Sequence, residues 1–232
     1  LHGESKYIDC MERTLYNGVI SGMSMDGGRF FYPNPLSSDG KYKFNADGNT
    51  TRQPWFGCAC CPSNLCRFIP SVPGYLYGVK DNNIYVNLFA GNTSTIKVNG
   101  KDVVLEETTE YPWNGDIKIA VKKSGVKNAN LLVRIPGWVR NQVVPSDLYK
   151  YSDAEKPAYS VTVNGKAVEA DLDANKGYLP VKNIKKGDVI RIHFDMPVRT
   201  VVANVKVADD KGKVAVERGP LVYCAEAVDN QN

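Results

Sequence analysis

Four cysteines fall within one short run, Cys58-Ala59-Cys60-Cys61-Pro62-Ser63-Asn64-Leu65-Cys66, while Cys10 and Cys224 lie far from it in the chain. A disulfide framework explains the run poorly. Adjacent Cys60 and Cys61 could pair only through a strained ring, and a chain of 232 residues has core enough not to need covalent staples. A soft metal explains it better, because Zn²⁺ takes thiolates in tetrahedral sets of four. The spacing is not that of a zinc finger, however. There is no second Cys-x-x-Cys, and His2 and His193 are lone and far apart. Zinc at this run therefore needs ligands from elsewhere.

The position of the run adds a second reading. Pro62 suits the first position of a helix, Leu65, Phe68 and Ile69 share one face, and Pro70 and Pro73 stop a long continuation. Cys60 and Cys61 then sit at a helix N-terminus, where free N–H groups and the positive dipole end stabilise an anion. That lowers a thiol pKa and makes a nucleophile. The bland alternative is reduced cysteines packed as small hydrophobes. It is the expected state of Cys10, Cys66 and Cys224, but packing is a poor reason for two adjacent thiols before a proline. Trp55, five residues from Cys60, either stacks on a sugar or packs beneath the cysteine loop. Trp138 is expected to close a core. Arg191, His193 and Asp195 alternate along a strand and should form a solvated face.

These residues need elements to hold them. Ile8, Met11, Leu15 and Val19 predict one amphipathic helix over 6–21, with Glu12 and Arg13 on another face and Gly22 as its stop. Residues 23–57 are rich in turn signals. From about residue 75 the period becomes two. Strands are expected at 84–89, 95–98, 103–105, 117–121, 131–135, 161–163, 189–194, 198–205, 214–216 and 221–223, with hairpin turns at Asn99-Gly100 and Asn164-Gly165. The predicted fold is mixed α and β: a helical part over 1–74, then an antiparallel β-sandwich over 75–232.

Composition narrows the partners. With 43% hydrophobic and 23% charged residues, the chain is not disordered. Its net charge of +4 is spread evenly, which points to neither nucleic acid nor an anionic membrane. No apolar run approaches the roughly 18–20 residues of a membrane span. The opening Leu1-His2-Gly3 has no Met and no signal-peptide pattern, as expected of a fragment or a processed chain.

Four stretches carry a resemblance. They are 7–18 (Tyr-Ile-Asp-Cys-Met-Glu-Arg-Thr-Leu-Tyr-Asn-Gly), 58–64 (Cys-Ala-Cys-Cys-Pro-Ser-Asn), 134–138 (Arg-Ile-Pro-Gly-Trp) and 216–224 (Val-Glu-Arg-Gly-Pro-Leu-Val-Tyr-Cys). In this order they resemble the β-L-arabinofuranosidase family of glycoside hydrolases, family 127. The resemblance implies an (α/α)₆ barrel of which residues 1–74 are the end, followed by β-sandwich domains. It further implies a retaining reaction in which Cys60 is the nucleophile and touches a zinc ion, and Cys61 is a zinc ligand. The metal would keep the thiol ionised, and attack on the anomeric carbon would give a thioglycosyl-enzyme that water hydrolyses, a two-step logic shared with carboxylate glycosidases. The remaining ligands, in a Glu-x-Cys motif, and the acid/base Glu lie upstream in the family, and no Glu-x-Cys occurs in this sequence. The expectations are thus half a zinc site, an arabinofuranoside-like substrate, self-association through the β-sandwich, and no glycosidase activity from this stretch alone. A non-catalytic carbohydrate-binding module with structural cysteines, or a purely structural zinc knot, stand as rival readings.

Overall fold

The computed structural model describes residues 2–35, 37–226 and 230. The chain divides into two compact units, Leu1–Cys10 with Tyr75–Asn232, and Met11–Gly74. No helix among the described residues is long and apolar enough to cross a membrane.

The helix over the first segment, α1 (Ser5–Thr14), continues as a π-helical turn, Leu15–Val19, and a 3₁₀ turn, Ile20–Gly22. The predicted span is right, but of the apolar stripe only Leu15 is buried. Ser5, Glu12 and Leu15 are buried, while Ile8 and Met11 are half-exposed. Ion pairing fixes the first turns instead. Asp9 accepts from Arg134 Nη1 at 2.7 Å and from Arg140 Nη2 at 2.8 Å. Arg134 is fully buried, and Arg140 also donates to Ser5 Oγ at 2.9 Å.

In the unit of residues 11–74, a loop network leads to the second helix, α2 (Cys60–Phe68), and a 3₁₀ stretch, Ile69–Tyr75. Buried Asn45 organises the loop: its Oδ1 accepts from Tyr32 N at 2.7 Å, and its Nδ2 donates to Thr51 O at 2.8 Å. Phe30 bridges to both Met23 and Gln53, and the ring of Tyr32 stands edge-on to buried Phe56. The helix begins two residues earlier than Pro62 suggests, with Ala59 as its uncapped N-cap. Pro62 is tolerated at the third position because N–H groups of the first turn have no intrahelical partner.

The other unit is strand-rich. In chain order its first strands are β1 (Tyr77–Lys80), β2 (Asn83–Val86), β3 (Asn92–Val98), β4 (Lys101–Thr109) and β5 (Asp116–Ser124). They are followed by β6 (Asn130–Arg134), β7 (Tyr149–Tyr151), β8 (Tyr159–Val163), β9 (Lys166–Ala167) and β10 (Tyr178–Val181). The last are β11 (Val189–Phe194), β12 (Val198–Ala203), β13 (Val214–Arg218) and β14 (Leu221–Tyr223). Among the described residues they form three sheets, ordered β1-β2-β6-β10, β3-β4-β5-β11-β8-β9 and β14-β13-β12-β7. All pairings are antiparallel except β2 with β6, which run parallel with Ile84 opposite Leu131. The Asn99-Gly100 and Asn164-Gly165 turns join β3 to β4 and β8 to β9, with positive φ at both residues of each. That geometry matches the right-handed strand twist.

Alternation fills the core. Val103 and Leu105 of β4, Ile117, Ile119 and Val121 of β5, and Ile190, Ile192 and Phe194 of β11 are buried, whereas Arg191 and His193 point to solvent as expected. Trp138 is buried, edge-on to Phe194, and its Nε1–H donates to Tyr111 Oη at 3.4 Å.

One buried group in this unit titrates near neutrality. Glu107 is 3% exposed, accepting from Tyr77 Oη at 3.0 Å and from Ala90 N at 3.1 Å. Burial outweighs these bonds and pushes its carboxyl up to about 7. The folded chain therefore holds this proton more tightly than the unfolded chain, so stability falls as pH rises from about 4.5 to 7. A shift of this size is worth about 3 kcal/mol at most. Glu107→Gln should remove that slope: calorimetric Tm across pH 5–8 is expected to flatten, with the variant gaining on the parent at the alkaline end. A parallel pH dependence in both proteins would refute it.

Candidate active site

Cys60 and Cys61 occupy the first turn of α2, where the peptide dipoles present their positive end. The turn is tied locally, with Asn64 Nδ2 and Ser63 Oγ both donating to the carbonyl of Cys60 at 2.9 and 3.2 Å. Cys58 and Cys60 are exposed and Cys61 half-exposed. Tyr32 Oη is in hydrogen-bond contact with Cys60 Sγ and lies 4.0 Å from Cys58 Sγ.

The two adjacent thiols part company electrostatically. The Tyr32 hydroxyl draws the Cys60 thiol below its ordinary value, helped by the Cys61 side chain and backbone N–H. Burial pushes Cys61 above its ordinary value, and the neighbouring Cys60 pushes the same way. The sulfurs hold the Tyr32 phenol above its own ordinary value. This arrangement sets an exposed sulfur, drawn toward ionisation, beside a neighbour pushed the other way.

Tyr32 was not anticipated. It lies 28 positions before Cys60 in a loop-rich stretch with no periodicity, and Asn45 and Phe56, which set it, are themselves remote in sequence. Trp55 is 57% exposed, with its ring free to meet a ligand. Cys10, Cys66 and Cys224 are exposed, against the expectation of buried packing. For the two helical cysteines the reason is local: α1 turns Ser5 and Glu12 inward, and α2 buries only Pro62.

Zinc suits this site in the kind of donor, since thiolates are its preferred soft ligands. The number falls short: among the described residues no group of three or more His, Cys, Asp or Glu side chains could hold a metal ion.

Residues 1–74 match the profile of the β-L-arabinofuranosidase GH127 catalytic domain, residues 83–196 the GH127 middle domain, and residues 198–232 the family 127 C-terminal domain. The class is therefore that of the glycoside hydrolases. The chain belongs to glycoside hydrolase family 127. It is 35% identical to the non-reducing end β-L-arabinofuranosidase of Bifidobacterium longum subsp. longum, over 99% of this chain and 33% of that protein. Among solved structures, a GH127 β-arabinofuranosidase matches with a TM-score of 0.91 at 57% identity, over 100% of this chain and 35% of the other. A GH127 β-L-arabinofuranosidase from Geobacillus stearothermophilus T6 matches with a TM-score of 0.81 at 38% identity, covering 98% and 34% of the two chains. The chain spans about a third of the length of these relatives.

Proposed function

We propose that this chain is part of a retaining glycoside hydrolase acting on β-L-arabinofuranosides, with Cys60 as the nucleophile. The observation that carries the reading is the contact of the Tyr32 hydroxyl with an exposed Cys60 sulfur in the first turn of a helix. Family membership supports the substrate class, since the relatives named above are β-arabinofuranosidases. Residues 1–74 are read as the end of an (α/α)₆ barrel, and the sheets that follow as β-sandwich material.

In this mechanism Tyr32 donates its hydrogen bond to the Cys60 thiolate and aims it. The sulfur attacks the anomeric carbon as the glycosidic C–O bond breaks, and the leaving oxygen takes a proton from an acid outside these residues. Water then attacks the same carbon, giving its proton to the group that served as the acid, breaks the C–S bond and restores the thiolate, so configuration is retained. Cys60 and Cys61 would hold zinc together with ligands from elsewhere in the protein. Bound there, the metal would supply a fixed positive charge that favours the ionised sulfur.

Two measurements test this. Brief iodoacetamide treatment of this chain near neutral pH, read by peptide mass spectrometry, should modify Cys60 at least about 10-fold faster than exposed Cys66. Equal labelling would remove the case for an activated thiol. In the full-length protein, NMR of the first-formed sugar should show the β-anomer; prompt appearance of the α-anomer would exclude a covalent intermediate. The 232-residue polypeptide alone should release no arabinose.

A further inference from the structure

We infer that a cleft in the strand-rich unit is a binding site for a neutral saccharide. The cleft encloses about 580 Å³, within the roughly 300–1,000 Å³ usual for small-ligand sites. Its walls are the 114–116 segment that opens β5, the loop after β7 at 153–158, the end of β11 with the 195–199 segment, and Arg218 of β13. Gly115 shapes it. A Cβ there would lie 2.0 Å from the carbonyl oxygen of Phe194, so only glycine lets these two backbones close the base.

One side chain is unsatisfied. Arg199, which lines the cleft, is 6% exposed. Its Nη2 donates to Asp153 and Asn141 and its Nε to Asp153, while the guanidinium stacks 3.5 Å from the ring centre of Tyr151. Its Nη1 is buried with no hydrogen-bond partner among the described residues. Such a donor is costly to leave unmade, and the guanidinium is held as a fixed positive group in the cleft wall.

The rest of the lining tells what kind of ligand. His193 is clamped between two carboxylates, Nδ1 to Asp116 at 2.7 Å and Nε2 to Asp195 at 3.0 Å. Each carboxylate still has lone pairs free for ligand hydroxyls, and both side chains are more than half exposed. Asp153 and Glu155 bring the acidic groups to four, against Lys156, Arg199, Arg218 and the imidazole. The balance selects against a strongly charged ligand. Interleaved donors and acceptors instead fit a molecule with many hydroxyls. Met196, Pro197 and Val198 supply apolar surface for the C–H faces of a sugar ring. Trp113, which precedes the lining Asn114, is 68% exposed, and its carbonyl accepts from Arg218 Nη1 at 2.9 Å. This argument uses residues of the strand-rich unit alone and is independent of the role given to Cys60.

The test is NMR titration and calorimetry of the full chain with neutral trisaccharides: arabinotriose, xylotriose and maltotriose. At least one should bind saturably, with a Kd of about 1 mM or tighter, and shift the amides of Gly115, Asp116, Ala158 and His193. Asp116→Asn with Asp195→Asn, both at exposed side chains, should weaken binding at least about tenfold while leaving the circular dichroism spectrum unchanged. Several results would overturn the inference: no saturable binding of any of the three, shifts confined to the surroundings of Cys60, unchanged affinity in the double variant, or tighter binding of trigalacturonate than of any neutral sugar.

Discussion

Cys60→Ala in the full-length enzyme is expected to lower kcat at least about 10³-fold, with circular dichroism and Tm little changed. The size follows from the role proposed for Cys60. Losing a covalent nucleophile removes the whole two-step route, and a thousandfold loss corresponds to about 4 kcal/mol of barrier. The fold should tolerate the change because the Cys60 side chain is exposed and the bonds that tie the first turn of α2 go to its backbone carbonyl. Cys66→Ala is the control: it is exposed on the same helix, has no contact with Tyr32, and should leave turnover intact. If Cys60→Ala keeps parental turnover, the sulfur takes no part in the chemistry, and the rival of a binding module with structural cysteines gains.

The second large effect is on stability. Asp9→Ala should destabilise the chain by about 3–5 kcal/mol, because it removes the Asp9 carboxylate that fully buried Arg134 donates to. For a chain of this size that is a fall of about 10 °C in Tm. Arg134 Nε would still donate to the carbonyl of Asn87, and Arg140 could turn toward solvent, so the cost falls mainly on one guanidinium. By contrast, Lys122→Ala, which breaks an exposed pair with Glu106, should change Tm by no more than about 2 °C. Near-equal Tm values for Asp9→Ala and Lys122→Ala would refute this.

Much of this was legible in the sequence where a local rule was at work. Asn-Gly pairs name their turns because both residues must take positive φ, and β3–β4 and β8–β9 turn there. Strands such as β11 declare themselves by alternation. The missed strands break that rule. Gly78 interrupts β1 and Pro180 interrupts β10. Pro180 is tolerated because β10 is the last strand of its sheet, where a missing N–H can face away from the ladder. Three-residue β7 is too short to show a period. On α1 the apolar pattern misled, because a salt-bridged Asp9 decides which face turns inward, and its arginine partners lie more than a hundred residues away. At the candidate site the cysteines were plain from their crowding. Tyr32 was not, since only the folded loop brings a phenol to the sulfur. The exposed Cys10, Cys66 and Cys224 show the weakness of inferring burial from residue type without knowing which helix face packs.

The parallel pairing of β2 with β6 has a consequence for biosynthesis. β2 is followed at once by the β3-β4-β5 meander, which belongs to another sheet, and its partner β6 leaves the ribosome only after those strands. The sheet is completed later still, when β10 joins β6. Until then Ile84 and Val86 stay uncovered beside an open strand edge. Pairings this remote fold slowly and invite aggregation of the nascent chain. Soluble yield should therefore depend on translation speed and chaperone supply more than on the final stability of the sheet.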